Sequence, residues 1–363
     1  MTDYININPG GKKMILSLDG GGMRGMISIA MLAELEKLTG KPCHELFDMV
    51  VGTSTGAIIA TGIALKITAQ EILEVVYKDK LPNAFPPDNL MLWIRYVLRG
   101  FRHIYPIESF NEALSHYTVG KKMRDIEDII LLMTTKDVRT GNTYFIVNKG
   151  PGAPAFIDWP LAGAVGASGA APIYFPPVAD NLIDGGVGVD ANPCLAAAVE
   201  AMEYIGASEG FTDGNVILIS LGTGYIPNEY ADGAASKFWL KDWVQYLIIE
   251  ALDDTALQQA LSTRAIYRTR LDFRRYNPAL TAQGVASLGI DMQGRPALDT
   301  LSLDSRHPAQ IQLMEDIGRN YAQQLDWTRA EIMPWDTVGG HQKPDIFANT
   351  DWSKTIFKLG GSR

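Results

Sequence analysis

The sequence predicts an α/β fold around a mostly parallel sheet covered on both faces. Short apolar runs of strand length end in glycine-rich turns, and helix-like segments follow them at once. The strand–helix order then repeats between residues 14 and 66. Such alternation reads as parallel βαβ units.

"MILSL" (14–18) is the first strand, ending at Asp19 and three glycines. "GMISIAMLAELEKL" (25–38) has helical spacing, with Gly40 as its C-terminal stop. "FDMVV" (47–51) is a second strand and "TGAIIATGIALK" the helix behind it. From about residue 80 to 120 the pattern changes: "LPNAFPPDNL" reads as a loop, followed by "MLWIRYVLRGFRHIY". Strand candidates resume at "DIILLMTTKDV", "TYFIVN" and "NVILISLGTG" (215–224). Beyond 226 the chain is more helical and more charged, with "AIYRTRLDF" (265–273) as a candidate strand. This divides the chain into a catalytic core, 14–225, and a C-terminal helical region and tail, 226–363, packed on it. There is no internal repeat.

Composition narrows the function classes. Of 363 residues, 47% are hydrophobic and 20% charged, as in an ordinary globular protein. A net charge of -9 argues against a nucleic-acid partner. Two cysteines, Cys43 and Cys194, are too few for a disulfide scaffold or a thiolate zinc site and fit a reducing compartment. The N-terminus has no secretory pattern, and the weakly polar run 49–65 falls short of the ~20 apolar residues that span a bilayer. A cytoplasmic protein is expected.

Gly52-Thr53-Ser54-Thr55-Gly56 fits the G-x-S-x-G elbow, in which a strand-to-helix turn exposes a serine oxygen. A serine hydroxyl needs a base to become a nucleophile. "DGGGMRG" also matches G-x-G-x-x-G through Gly20, Gly22 and Gly25. A dinucleotide site would want an acid at the C-terminal edge of the second strand, but Asp48 sits at its start. The other use of such a loop is an oxyanion hole, with backbone N–H groups converging at a helix N-terminus. Parallel neighbouring strands would set this loop beside Ser54.

The five histidines are His44, His103, His116, His307 and His341. The order Ser, Asp or Glu, His would select His307 or His341, neither at the end of a convincing core strand. The acidic alternative is Asp184 in "DNLIDGGVG", after an apolar stretch and before Gly185 and Gly186, which allow close backbone approach. On its own, D-G-G is a weak signal. A conventional Ser-His esterase acting on small soluble esters, and a non-catalytic lipid-binding or storage protein, are the competing readings.

Taken in order, "DGGGMRG", "GTSTG", "GASGAAPIYFPP" (166–177) and "DGGVGVDANP" (184–193) resemble the patatin-like phospholipase family. "ISLGTG" and "YRTRLDFRRYNPAL" also look like elements of that family, so the resemblance covers roughly residues 14–323. It implies a three-layer α/β/α sandwich with a mostly parallel central sheet, and lipid acyl hydrolysis by a Ser-Asp dyad without a histidine or a cofactor. Carried over, Ser54 is the nucleophile and Asp184 the base. The loop of Gly20, Gly21, Gly22, Arg24 and Gly25 is the oxyanion hole, chiefly through the amides of Gly21 and Gly22. Gly52, Gly56, Gly185 and Gly186 support the two motifs.

Two further surfaces bear on partners. In "NLMLWIRYVLRGFRH", Trp93 and Phe101 share a helical face with Ile94, Val97 and Leu98, opposite arginines. A basic, aromatic-bearing amphipathic helix suits peripheral contact with membrane phospholipids, here at the inner membrane; a cap helix packed on the core is the alternative. Arg264, Arg268, Arg270, Arg274 and Arg275 form a basic cluster, and on a strand Arg268 and Arg270 would point to one side, as suits phosphate. Bacterial members that this chain resembles include anti-phage effectors switched on by cyclic nucleotides. The resemblance thus also implies a cyclic nucleotide activator, with homo-oligomer formation on activation.

Overall fold

The computed structural model describes residues 4–84, 105, 117–227, 234–239, 243, 246 and 251–331. Among these residues seven strands form one sheet: β1 (Lys13–Leu18), β2 (Met49–Gly52), β3 (Ile130–Asp137), β4 (Thr143–Val147), β5 (Leu182–Asp184), β6 (Val216–Leu221) and β7 (Asp272–Tyr276). The order is β4-β3-β2-β1-β6-β7, parallel from β3 to β7, with β4 antiparallel to β3 at the edge. The main helices are α1 (Gly25–Thr39), α2 (Thr55–Ala64), α3 (Leu161–Gly169), α4 (Cys194–Val199), α5 (Ala251–Tyr267) and α6 (Pro308–Gln324).

Side-chain alternation along the strands creates two cores. Met14, Leu16, Leu18, Val50, Leu131, Ile217 and Ile219 pack against α1, α2, α3 and α6 on one face. Ile15, Met49, Val51, Leu132 and Leu218 pack against α4 and α5 on the other. Both faces are therefore dry, which is why the central strands read as continuous apolar runs rather than alternating ones. The α/β architecture, with a mostly parallel sheet and helices on both sides, is as the sequence predicts. Gly40 ends α1 at φ 67, the left-handed cap that a glycine accepts without strain.

One expected strand is corrected. Residues 265–271 are not a strand: α5 runs to Tyr267, a tight turn follows over Arg268–Arg270, and the strand occupies Asp272–Tyr276. Arg268 sits at φ 44, a left-handed value that no strand residue adopts. The resulting β7 lies within 226–363 yet pairs with β6 in the central sheet.

The short β5 fills a gap in the sheet. β2 stops at Gly52, opposite Met133, while β3 continues to Asp137. β4 occupies the other side of β3, so β5 pairs with Thr135–Asp137 on the side that β2 leaves open. Since β5 runs antiparallel, its last residue, Asp184, lies opposite Thr135 and faces the C-terminal end of β2.

Close approach of β2 and α2 depends on Gly52. A Cβ on Gly52 would lie 2.2 Å from the backbone carbonyl of Gly56. Neither backbone can yield, so Gly52→Ala should destabilise the protein by about 1–3 kcal/mol through overpacking. Urea unfolding should show a lower midpoint with an unchanged slope.

Candidate active site

The elbow is strained and nearly dry. Ser54 joins β2 to α2 at φ 55, ψ -122, a conformation unusual outside glycine that costs on the order of 1–3 kcal/mol. Of residues 49–64, only Ser54 is not fully buried. The surrounding contacts hold it there. The Ser54 N–H donates to Ser168 Oγ (3.0 Å), placing α3 beside the turn. Thr53 Oγ1 donates to the Asp190 carbonyl (2.6 Å) and lies 2.7 Å from Thr134 Oγ1 on β3. Beneath the helix start, the Tyr77 hydroxyl bonds the Thr55 hydroxyl.

The geometry of β5 delivers Asp184 to this serine. Its carboxylate accepts the Gly186 N–H at 2.8 Å and faces the Ser54 side chain, whose hydroxyl favours the charged form. Gly185 makes the approach feasible, since a Cβ there would lie 2.1 Å from Thr134 Oγ1. Burial pushes the Asp184 carboxyl up to about 6, although the Ser54 hydroxyl and the Gly186 N–H pull it down. Desolvation prevails because a charge in a dry site loses more hydration than two polar neighbours restore.

The glycine loop lies alongside. A Cβ on Gly20 would be 3.3 Å from the Ser54 Cβ. Within the loop, the Gly20 N–H donates to the Ala191 carbonyl (2.8 Å), the Met23 N–H to Leu303 (2.7 Å) and the Arg24 N–H to Gly21 (3.1 Å). The Gly25 N–H bonds the Gly22 and Met23 carbonyls. The N–H groups of Gly21 and Gly22 have no acceptor among the described residues. Of the five loop residues named as an oxyanion hole, Gly20, Arg24 and Gly25 thus have their amides engaged internally, and Gly21 and Gly22 remain. The Arg24 side chain is buried and pairs with Asp253 on α5 at 3.2 Å.

Other expected residues lie elsewhere. His307 caps α6, its Nδ1 accepting the Ala309 N–H at 3.2 Å. His103, His116, His341, Trp93 and Phe101 lie outside the described residues. The basic cluster read as a phosphate site is divided: Arg274 and Arg275 are buried and engaged internally, whereas Arg268 and Arg270 reach the surface. Arg274 is buried and bonds Asp272 and the carbonyls of Ile7 and Trp327. Arg275 is buried on the opposite face of β7 against Asp19. Arg270 pairs with Asp213 (2.8 Å) and Glu203 (3.1 Å), and exposed Arg268 donates to the Ala265 carbonyl. Sequence reasoning missed Ser168, Thr223 and Leu303 as neighbours of the site. Ser168 lies inside the quoted "GASGAAP" and could have been singled out, but a backbone carbonyl such as that of Leu303 leaves no side-chain signature.

The glycine loop, the serine elbow and the aspartate that ends β5 all fall within the match to the patatin-like phospholipase profile, which spans residues 16–198. The chain belongs to this family. It is similar to a cGAMP-activated phospholipase of Pseudomonas aeruginosa, 27% identical over 330 residues, covering 86% of this chain and 92% of that one. Phospholipase A I of Arabidopsis thaliana is 46% identical over 79 residues, which is 21% of this chain and 6% of that protein. The 85/88 kDa calcium-independent phospholipase A2 of Rattus norvegicus is 32% identical over 243 residues, 59% of this chain and 27% of that protein. The chain therefore spans only a small part of the latter two.

In a carboxyl 13C NMR titration, Asp184 should titrate near 6, well above exposed aspartates. Ser54→Ala removes a hydroxyl that favours the carboxylate, so the midpoint should move further up. A midpoint below 4 in the folded protein contradicts the dry-site account.

Proposed function

We propose that this patatin-like protein hydrolyses acyl esters of membrane phospholipids through an acyl-enzyme on Ser54, with Asp184 as the base, and that a cyclic nucleotide activates it. The observation that carries the catalytic reading is Asp184, at the end of β5, brought beside the strained Ser54 turn and next to the Gly21 and Gly22 amides, which have no acceptor among the described residues. Asp184 takes the Ser54 proton as Oγ attacks the ester carbonyl. The developing oxyanion is held by the two amides, each such donor being worth about 3 kcal/mol in the transition state. Collapse expels the lysolipid, protonated by Asp184. The same carboxylate then activates water to release the fatty acid. A base with a pKa near 6 suits this role at neutral pH, being mostly ionised yet basic enough to accept a proton.

The substrate lies in a bilayer, so the enzyme works from a membrane surface; no described helix is long and apolar enough to cross one. Activation rests on the similarity along most of the chain to a protein named as cGAMP-activated.

Mass spectrometry of lipid products from phospholipid vesicles tests the reading. Ser54→Ala and Asp184→Asn should each lower turnover by at least about 10³-fold while remaining folded, and His307→Ala should be near wild type. For the wild type, kcat/KM should fall about tenfold per pH unit below an apparent pKa near 6, where Asp184 becomes protonated. Full activity of Asp184→Asn, or loss in His307→Ala, contradicts the dyad. Turnover unchanged by a panel of cyclic dinucleotides and trinucleotides contradicts the activation.

A further inference from the structure

Arg275 reaches the candidate site through one carboxylate. Its Nη1 donates to Asp19 Oδ1 (2.6 Å) and to Ser220 Oγ (2.8 Å), and its Nη2 donates to Asp19 Oδ2. Both side chains are buried, at 8% and 6% exposure. Arg275, Ser220 and Ser17 are register partners on β7, β6 and β1, so they form a polar row across three adjacent strands. Asn192 Oδ1 accepts from both serines, and its Nδ2 donates to the Ala256 carbonyl of α5. The row ends at Asp19, the residue between β1 and Gly20.

A buried ion pair contributes little net stability compared with apolar groups of the same volume. What this pair holds is therefore more informative than how strongly it pairs. Asp19 is tied by its N–H to the Leu221 carbonyl and by both carboxylate oxygens to Arg275. The next carbonyl, that of Gly20, accepts from Thr223 Oγ1 at 3.2 Å. Beyond the loop, the Met23 N–H is fixed by Leu303. These clamps bracket Gly21–Gly22, the part of this loop whose N–H groups are left without acceptors among the described residues. Glycines have the greatest backbone freedom in the chain, so amides presented by them stay aimed only if both flanks are fixed. Preorganised donors contribute because they need no reorganisation as the oxyanion forms.

We propose that Arg275 is a positioning residue for acyl transfer: by holding Asp19 with its planar fork, it aims the Gly21 and Gly22 amides at the oxyanion formed at Ser54. The proposal rests on the Ser54–Asp184 reading. Arg275 touches no substrate and acts entirely through Asp19. It also makes the oxyanion loop depend on a strand well beyond residue 198, where the family match ends.

Arg275→Lys keeps the charge but loses the two-pronged geometry. In folded protein, kcat on vesicles should drop about 10²-fold, the scale of losing one aimed donor, with KM within about twofold. The acidic pH midpoint should stay near 6, because Asp184 is held by other contacts. Ser220→Ala leaves the ion pair intact but frees one guanidinium contact. It should lower kcat about three- to tenfold at constant KM, and it decides the question if Arg275→Lys does not fold. A folded Arg275→Lys with kcat within about threefold of wild type, or a loss confined to KM, overturns the positioning role. If Arg275→Lys does not fold, a folded Ser220→Ala with wild-type kcat overturns it instead. Wild-type protein showing no Ser54-dependent hydrolysis would overturn the underlying reading as well, which separates the two failures.

Discussion

Everything at the candidate site depends on where β2 stops. β2 ends at Gly52 while its neighbour β3 continues to Asp137, which leaves one side of β3 unpaired just where α2 begins. An unpaired backbone edge in a dry interior is costly, and β5 satisfies it in the antiparallel sense. That sense of pairing brings the last residue of β5 to the strained turn at Ser54. The position of Asp184 beside Ser54 thus comes from sheet hydrogen bonding rather than from any attraction between the two side chains.

The same dryness tunes the chemistry. Asp184 is fully enclosed, so it is more basic than a surface aspartate. It nevertheless keeps the Gly186 N–H and, beside it, the Ser54 hydroxyl, both of which favour its ionised form. The glycine loop on the neighbouring strand has its flanks tied to Ala191, Thr223, Arg275 and Leu303 and two amides left over. Ser54, Asp184 and the glycine loop accordingly come from three strand ends, β2, β5 and β1, that share one end of the sheet.

Much of this was legible in the sequence. The strand–turn–helix at Ser54, the glycine loop and the D-G-G at Asp184 each carry a local signature, because glycine is required where backbones nearly touch. The left-handed cap at Gly40 was readable for the same reason. The arginines of 264–275 were not. A guanidinium that binds phosphate and one that neutralises a buried aspartate look alike in one dimension, and only the register of β7 tells that Arg275 faces Asp19. The C-terminal boundary of α5 was misjudged because "AIYRTRLDF" alternates in a way that suits a strand, whereas packing of Ala260 and Tyr267 against the second core favours helix. Ser168 was visible as a residue but not as a partner, since its role is to accept a backbone N–H from a distant turn.

The central claim is that Asp184 activates Ser54. A fluorophosphonate reacts with an activated serine irrespective of lipid access, so its rate isolates this step. Intact-mass and peptide analysis of labelling as a function of pH should place the adduct on Ser54, with a rate that rises to a plateau through an apparent pKa near 6. In folded Asp184→Asn that labelling should all but vanish. Labelling of another residue, or of Ser54 at the wild-type rate in Asp184→Asn, would contradict the account.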